Sequence, residues 1–447
     1  MKILKVPPRL SHWLAHATVI GVLMVLSRAH WVFSNLYHGG QSVENISMAV
    51  AALLGVVMLM LVSIAIMLPV RVAEAALRIL TVSVAAYVVW PAMRALPIVP
   101  QELSAIYKIG LIGGVFALAA LAAIKLTPEL WRRMQKALVF AGILYIALPL
   151  VISRLTDPLV LQMPRQGALV VLLLDELNAD AGEQIAAAIA LEGGEPRTRS
   201  IQAVGPSTIT VIPEFLGGPH MPQARVCSPT AVCDPSGVFD FSRLRFEPND
   251  RVHIVGFFHP YCAASGLASC AGLSVPSSVP PIIDLLCSFG RILPGKKADD
   301  CVWFDARSWQ TFRMRARDNM FISPFWQEGG ILYAHMPFPH PPGNLQGAGL
   351  AADYADNLQL AANTAAQVWK RGRARFGKDF RFIITSDHPL RPELYCRHEK
   401  YIDTGCIITP SAFPGFVPYI EVGDQNTDLS KIRNNASLFK KLLSVEY

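Results

Sequence analysis

Phe382-Ile383-Ile384-Thr385-Ser386-Asp387-His388 decides how this chain is read. An apolar, β-branched run stops abruptly at a carboxylate beside an imidazole. A buried strand of an α/β sheet delivers polar groups in this way to its C-terminal edge, where such sheets bind ligands. Asp and His together offer a hard oxygen and a borderline nitrogen donor, a pair that suits zinc or manganese. One Asp-His dipeptide serves equally well as a satisfied turn, so the weight falls on what the rest of the chain supplies for it.

The same pattern occurs upstream. Ala168–Leu174 is an unbroken apolar run that ends in Asp175-Glu176, which predicts a central strand buried on both faces. A helix is expected over Ala179–Leu191, ended by Gly193-Gly194. Val252–Phe258 and Gly330–His335 read as further strands, and Tyr354–Phe376 as a helix. Strands alternating with helices predict a parallel-sheet α/β domain. Residues 217–248, rich in Gly, Pro, Ser and Cys, read as an irregular, disulfide-tied insertion.

Four strand ends then carry polar groups: Asp175-Glu176, Thr208 within Pro206–Pro213, His335 with His340, and Asp387-His388. In a parallel sheet these ends converge at one edge. Carboxylates and imidazoles there make a metal site with a hydroxyl beside it. A metal ion lowers the pKa of such a hydroxyl and polarises a phosphoryl oxygen, so the chemistry expected is nucleophilic attack at phosphorus. Bland roles compete with this reading. Acids favour helix N-termini, so Asp175 and Glu176 are also plausible caps. His335 alone reads as a core histidine. His220, His253 and His259 have no partner legible in the sequence, and Phe258–Cys262 reads as a loop tied by a disulfide.

The 447 residues are 52% hydrophobic and only 16% charged, too apolar for an ordinary soluble chain. Five apolar stretches, Trp13–Phe33, Met48–Pro69, Leu77–Pro97, Ile109–Leu126 and Leu138–Leu155, are each close to the roughly 20 residues that cross a bilayer as a helix. Trp31, Phe33 and Tyr37 read as an outer interfacial segment, and Trp131 as an interface anchor. Lys2, Lys5, Arg9, Arg71, Arg78, Lys125, Arg132, Arg133 and Lys136 fall in alternate connections and mark the cytoplasmic side. The net charge of +7 is therefore topology, with no nucleic-acid partner expected. The division is residues 1–160 as a five-helix transmembrane domain, N-terminus cytoplasmic, and 161–447 as an extracytoplasmic α/β domain. All eight cysteines lie in the second part, as an oxidising compartment predicts. The simplest pairing joins Cys227–Cys233, Cys262–Cys270, Cys287–Cys301 and Cys396–Cys406.

Taken together, strand-Asp-Glu, a Thr five residues before a Pro (Thr208, Pro213), a His-x-x-x-x-His segment (Leu332–Pro341) and Ser-Asp-His resemble the alkaline phosphatase superfamily. Within it the chain is similar to the membrane-anchored, sulfatase-like branch: phosphoethanolamine transferases and, more distantly, lipoteichoic acid synthases. The resemblance implies Thr208 as catalytic nucleophile, with Ser207 and Thr210 as alternatives. It implies zinc, or manganese, on Asp175 or Glu176, Thr208, Asp387 and His388, and substrate contacts from His335, His340 and His398. It further implies a multi-pass protein of a bacterial plasma (inner) membrane with its catalytic domain on the periplasmic side. Such a protein passes a phospholipid head-group phosphate, phosphoethanolamine first, to an envelope glycolipid or glycan through a phospho-threonine. Phosphoglycerol transfer, a tethered phosphodiesterase or phosphatase, and an inactive envelope-binding protein are the rival readings. The chain departs from the transferase pattern at Leu174–Asn178, at Val211, and at Pro389, where a Gly is usual. The Cys/Ser-x-Pro-x-Arg signature of sulfatases is missing at the nucleophile, which disfavours sulfate-ester hydrolysis.

Overall fold

The computed structural model describes residues 29–39, 159–161, 167–247, 250–275, 306–343, 349–396, 415–423 and 431–444, with short pieces and single residues elsewhere. Two compact units result, and Phe33–Ser42, Ile152–Pro280 and Cys287–Tyr447 form the larger. The five apolar stretches fall almost wholly outside the described residues, as do Cys287, Cys301 and His398. Among the described residues no helix is long and apolar enough to cross a membrane. In the smaller unit, Trp131 is buried, with the Arg78 guanidinium 5.6 Å over its ring.

In chain order the strands of the larger unit are β1 (Leu159–Leu161), β2 (Ala168–Asp175), β3 (Arg197–Gln202), β4 (Arg225–Val226), β5 (Ala231–Asp234), β6 (Gly237–Asp240), β7 (Leu244–Phe246), β8 (Val252–Phe257), β9 (Ser269–Leu273), β10 (Gly330–Pro339), β11 (Phe380–Ser386) and β12 (Phe416–Val422). Seven of them build one sheet in the order β3-β12-β11-β2-β10-β8-β9. β2 is central, parallel to both β10 and β11. The sheet is not wholly parallel, because β12 runs antiparallel between β11 and β3.

Every residue of β2 is buried. Its alternate side chains feed two different cores. Leu169, Val171 and Leu173 join one cluster with Val211, Phe215 and Tyr37. Val170, Leu172 and Leu174 join the other with the helices Gly182–Leu191 and Leu350–Phe376. Both faces are therefore covered, which is why the strand reads as a continuous apolar run.

The first of these helices starts at Gly182, three residues later than the sequence indicated, and Gly193, at φ 75°, follows its end. Residues 225–240 are more regular than expected: β4, β5 and β6 form a small antiparallel sheet, pinned by Cys227–Cys233. Cys262–Cys270 and Cys396–Cys406 are also joined.

The stretch Pro206–Pro213 is not a strand. Thr208–Phe215 is a helix. Its β-branched residues imitate a strand, but Ser207 occupies the N-cap, and the Thr210 hydroxyl accepts from the Ser207 N–H at 3.2 Å. This reciprocal capping starts a helix whatever the local propensity. Tyr37 likewise lies in the core, 2% exposed, and not at an interface, because its hydroxyl has a buried partner in His259.

Candidate metal centre and nucleophile

The register of the sheet brings the polar groups together. Ser386 pairs with Leu174, so Asp387 leaves β11 level with Asp175 at the end of β2. Pro339 of β10 pairs with Asp175 from the other side. Asp175, Asp387 and His388 are buried, with ligand atoms all within 4.8 Å of one another. The helix Thr208–Phe215 adds its first side chain to this edge. Thr208 Oγ1 lies 3.3 Å from His388 Nε2 and 3.5 Å from Asp175 Oδ1.

Hydrogen bonds aim the donors. His388 Nδ1 donates to the Pro389 carbonyl at 3.0 Å, so the neutral ring keeps its lone pair on Nε2, facing Thr208. A backbone partner on the far nitrogen is the usual way a metal-ligating His is oriented. Asp387 Oδ1 accepts from the backbone N–H of His388 at 2.8 Å and of Glu176 at 3.3 Å. Its Oδ2 is buried without a hydrogen-bond partner among the described residues, although His388 Nε2 is 3.4 Å away. An orphaned buried carboxylate oxygen next to an imidazole nitrogen is a donor set that fits a divalent cation. Burial, and then the charges of Asp387 and Glu176, push the Asp175 carboxyl well above the usual range. Burial also opposes ionisation of Asp387, but His388 and His335 beside it bring its carboxyl below the ordinary value. Two oxygens and one nitrogen in this state could hold zinc or manganese.

The adjacent acids have different jobs. Glu176 adopts φ 63°, so the chain turns through the left-handed region directly after Asp175. Its carboxylate points away from the cluster: Oε1 accepts from Arg391 Nε at 3.1 Å, and Oε2 from the Tyr395 hydroxyl at 2.6 Å. Of the two acids, only Asp175 faces Thr208 and His388.

The predicted substrate histidines are fixed by other partners. His335 Nδ1 is 2.9 Å from the Tyr261 hydroxyl, and the ring lies 4.5 Å from that of Phe257. Burial lowers its pKa to about 4. His340 Nε2 is 2.9 Å from Tyr395 Oη, and the ring stacks on Trp309 at 5.0 Å. The alternatives Ser207 and Thr210 are engaged in the helix cap.

Several groups of the site lie outside the sequence motifs. Arg391 and Tyr395 sit between Ser-Asp-His and Cys396, where a basic and an aromatic residue so near a predicted ligand are a usable clue. Asn435 is fully buried. Its Nδ2 donates to the Ser386 and Asp387 carbonyls at 3.2 and 2.8 Å, and its Oδ1 accepts from the Val204 N–H at 2.9 Å. It ties the Asp387 turn to the loop leading to Thr208. Nothing in its sequence context reveals that role.

No family model and no curated protein sequence matches the chain. Among solved structures it is similar to Ps i-CgsB (TM-score 0.35, 10% identity, 60% of this chain and 68% of that one). It is also similar to a protein of the alkaline phosphatase superfamily from Vibrio parahaemolyticus (TM-score 0.30, 14% identity, 65% and 71%). A third is the soluble domain of lipooligosaccharide phosphoethanolamine transferase A from Neisseria meningitidis (TM-score 0.30, 13% identity, 60% and 83%). Overlaps this loose carry no argument about substrate, metal or reaction, which must come from the site.

Proposed function

We propose that the chain is a phosphotransferase that moves a phospholipid head-group phosphate, phosphoethanolamine in the first instance, to a hydroxyl of an envelope glycolipid or glycan. The observation that carries this reading is the Thr208 hydroxyl held at 3.3 Å from His388 Nε2 and 3.5 Å from Asp175 Oδ1, at the edge where three parallel strands end. Asp175, Asp387 and His388 would hold zinc or manganese beside Thr208. When bound, such an ion supplies electrostatic stabilisation of an attacking oxygen and of a phosphoryl oxygen.

In the first half-reaction Thr208 Oγ1 bonds to phosphorus and the donor's ester P–O bond breaks. The hydroxyl proton passes to Asp175, whose Oδ1 is 3.5 Å away, and Asp175 hands it to the departing lipid alkoxide. In the second, an acceptor hydroxyl gives its proton to Asp175 as its oxygen bonds to phosphorus, the Thr208 Oγ1–P bond breaks, and Asp175 returns that proton to Oγ1. This double displacement needs a nucleophile and a base within reach of one another, as Thr208 and Asp175 are. The five apolar stretches of residues 1–160 would anchor the chain in a bacterial plasma membrane with residues 161–447 on the outer side, consistent with the three disulfides.

The test is intact-protein mass spectrometry after incubation with phosphatidylethanolamine vesicles. The full chain should gain one phosphoethanolamine, located on Thr208, and Thr208→Ala should lose about 10³-fold or more of turnover. Turnover by Thr208→Ala at the wild-type rate would remove the nucleophile. Release of free head group with no adduct or acceptor product would favour a phosphodiesterase.

A further inference from the structure

Tyr37 and His38 are far from the site in sequence and close to it in the fold. Phe33–Ser42 belongs to the same compact unit as the sheet, and Tyr37 sits edge-on to Phe241 at 6.0 Å in the core. Its hydroxyl is 2.5 Å from His259 Nδ1, and His259 Nε2 is 3.4 Å from the backbone carbonyl oxygen of Thr208. A carbonyl only accepts, so Nε2 carries the proton. In the neutral ring Nδ1 then holds a lone pair, and the Tyr37 hydroxyl donates to it. One proton arrangement satisfies the chain Tyr37–His259–Thr208.

The residue before His259 strengthens the case. Phe258 has φ 66°, a region that aromatic L-residues avoid. Such a conformation persists only where the surroundings over-determine it, and it collects at functional sites. The surroundings here include His38, whose Nδ1 donates to the Phe258 carbonyl at 2.7 Å and whose ring lies 4.1 Å from the Phe258 ring. The far side of the loop is tied by Cys262–Cys270 and by Tyr261 against His335. Two adjacent residues from the start of the chain thus close the remaining side of a strained loop that touches the first residue of the Thr208 helix.

We propose that Tyr37 and His38 are positioning residues for the reaction at Thr208: they hold the Phe258-His259 turn, and through the His259 ring they fix the Thr208 backbone against Asp175 and His388. The proposal rests on Thr208 being the nucleophile. It makes the segment just after the first apolar stretch part of the catalytic apparatus.

The experiment uses full-length Tyr37→Phe, His38→Leu and His38→Asn, the last keeping a donor near the position of Nδ1. Phosphatidylethanolamine turnover, KM, zinc content and amide exchange of residues 206–212 are measured for each. Tyr37→Phe and His38→Leu should lower kcat about tenfold with KM and zinc content unchanged. They should also speed exchange at 206–212, and His38→Asn should restore both properties. Wild-type exchange and wild-type kcat in Tyr37→Phe overturn the proposal. So does a loss confined to KM, or one that His38→Asn does not repair. Exchange is read without turnover, so failure of Thr208 as nucleophile shows separately, as an active Thr208→Ala.

Discussion

Replacing Glu176 by Gln and Asp175 by Asn, side by side, asks whether adjacent acids at one strand end divide structure from metal binding. The Glu176 carboxylate is fully buried and takes Arg391 at 3.1 Å and Tyr395 at 2.6 Å. Breaking a buried ion pair costs about 3–5 kcal/mol. The Arg391 side chain keeps 22% exposure, so water recovers part of this, and about 2–3 kcal/mol is the expected loss. For a folded domain of roughly 290 residues the unfolding entropy is about 0.6 kcal/mol per degree, which makes this a fall in Tm of about 3–5 °C.

Asp175→Asn should behave in the opposite way. It removes one of three buried carboxylates that repel one another, so the metal-free Tm should hold or rise. What it should lose is the response to zinc. A ligand at 100 times its Kd stabilises by about 2.7 kcal/mol, or about 4 °C here. Wild type and Glu176→Gln should both show that rise, with about one zinc per chain by elemental analysis, and Asp175→Asn should show neither. Thermal scans with and without zinc, on detergent-purified full chain, read all three proteins. A zinc-induced shift kept by Asp175→Asn and lost by Glu176→Gln would refute the division of roles.

Two further outcomes are expected away from the site. A Cβ on Gly372 would lie 2.0 Å from the Phe380 ring, and overpacking of about 1–3 kcal/mol outweighs the roughly 1 kcal/mol gain in helix propensity. Gly372→Ala should therefore lower Tm by about 1–3 °C, and a rise in Tm would show that the ring gives way freely. Burial lowers the pKa of His253, against a smaller opposite pull from Glu328. The folded ring stays neutral while the unfolded one takes up a proton, so this stability is whole above pH about 6.5 and is lost as pH falls toward the folded value. His253→Gln, which keeps a partner for Ser269, should flatten denaturant midpoints between pH 7 and 5, and an unchanged slope would count against it.

The legible parts of the fold were those where burial on both faces writes itself into composition. β2 is an uninterrupted apolar run, and β11 is one over Phe382–Ile384, because neither face meets water, and each strand ends where the sheet meets its ligand edge, so Asp175, Asp387 and His388 stand out. The spacing to Pro213 marks Thr208 but not its setting, since Thr-Ile-Thr-Val-Ile looks like a strand until the Ser207–Thr210 cap is seen in three dimensions. β12 left little trace because Pro418 interrupts its pattern. Tyr37 met His259 across 222 residues, a distance over which no local propensity speaks. The split between Asp175 and Glu176 depends on one left-handed residue, and a glutamate does not announce a positive φ as a glycine would.

That single backbone turn also sets the charge balance at the sheet edge. Had both acids faced Thr208, three carboxylates would crowd one imidazole, with Arg391 left to find another partner. With Glu176 turned out, its charge is matched by Arg391, and Tyr395 satisfies its remaining oxygen. Asp175 and Asp387 are left with the His388 ring in a space 4.8 Å across. Repulsion inside so small a buried space is relieved by a proton on Asp175 or by a divalent cation. The proton state is the one described by the raised Asp175 pKa, and the cation state is the one the zinc scans would detect. Were Asp175 to give up its proton to an arriving ion, next to a hydroxyl able to lose one, metal loading and activation of Thr208 would be the same event. Zinc binding should therefore release protons, and calorimetry in buffers of different ionisation enthalpy would read their number. Zero protons, with zinc bound, would mean that Asp175 is already ionised and that the proton on Thr208 must leave by another route.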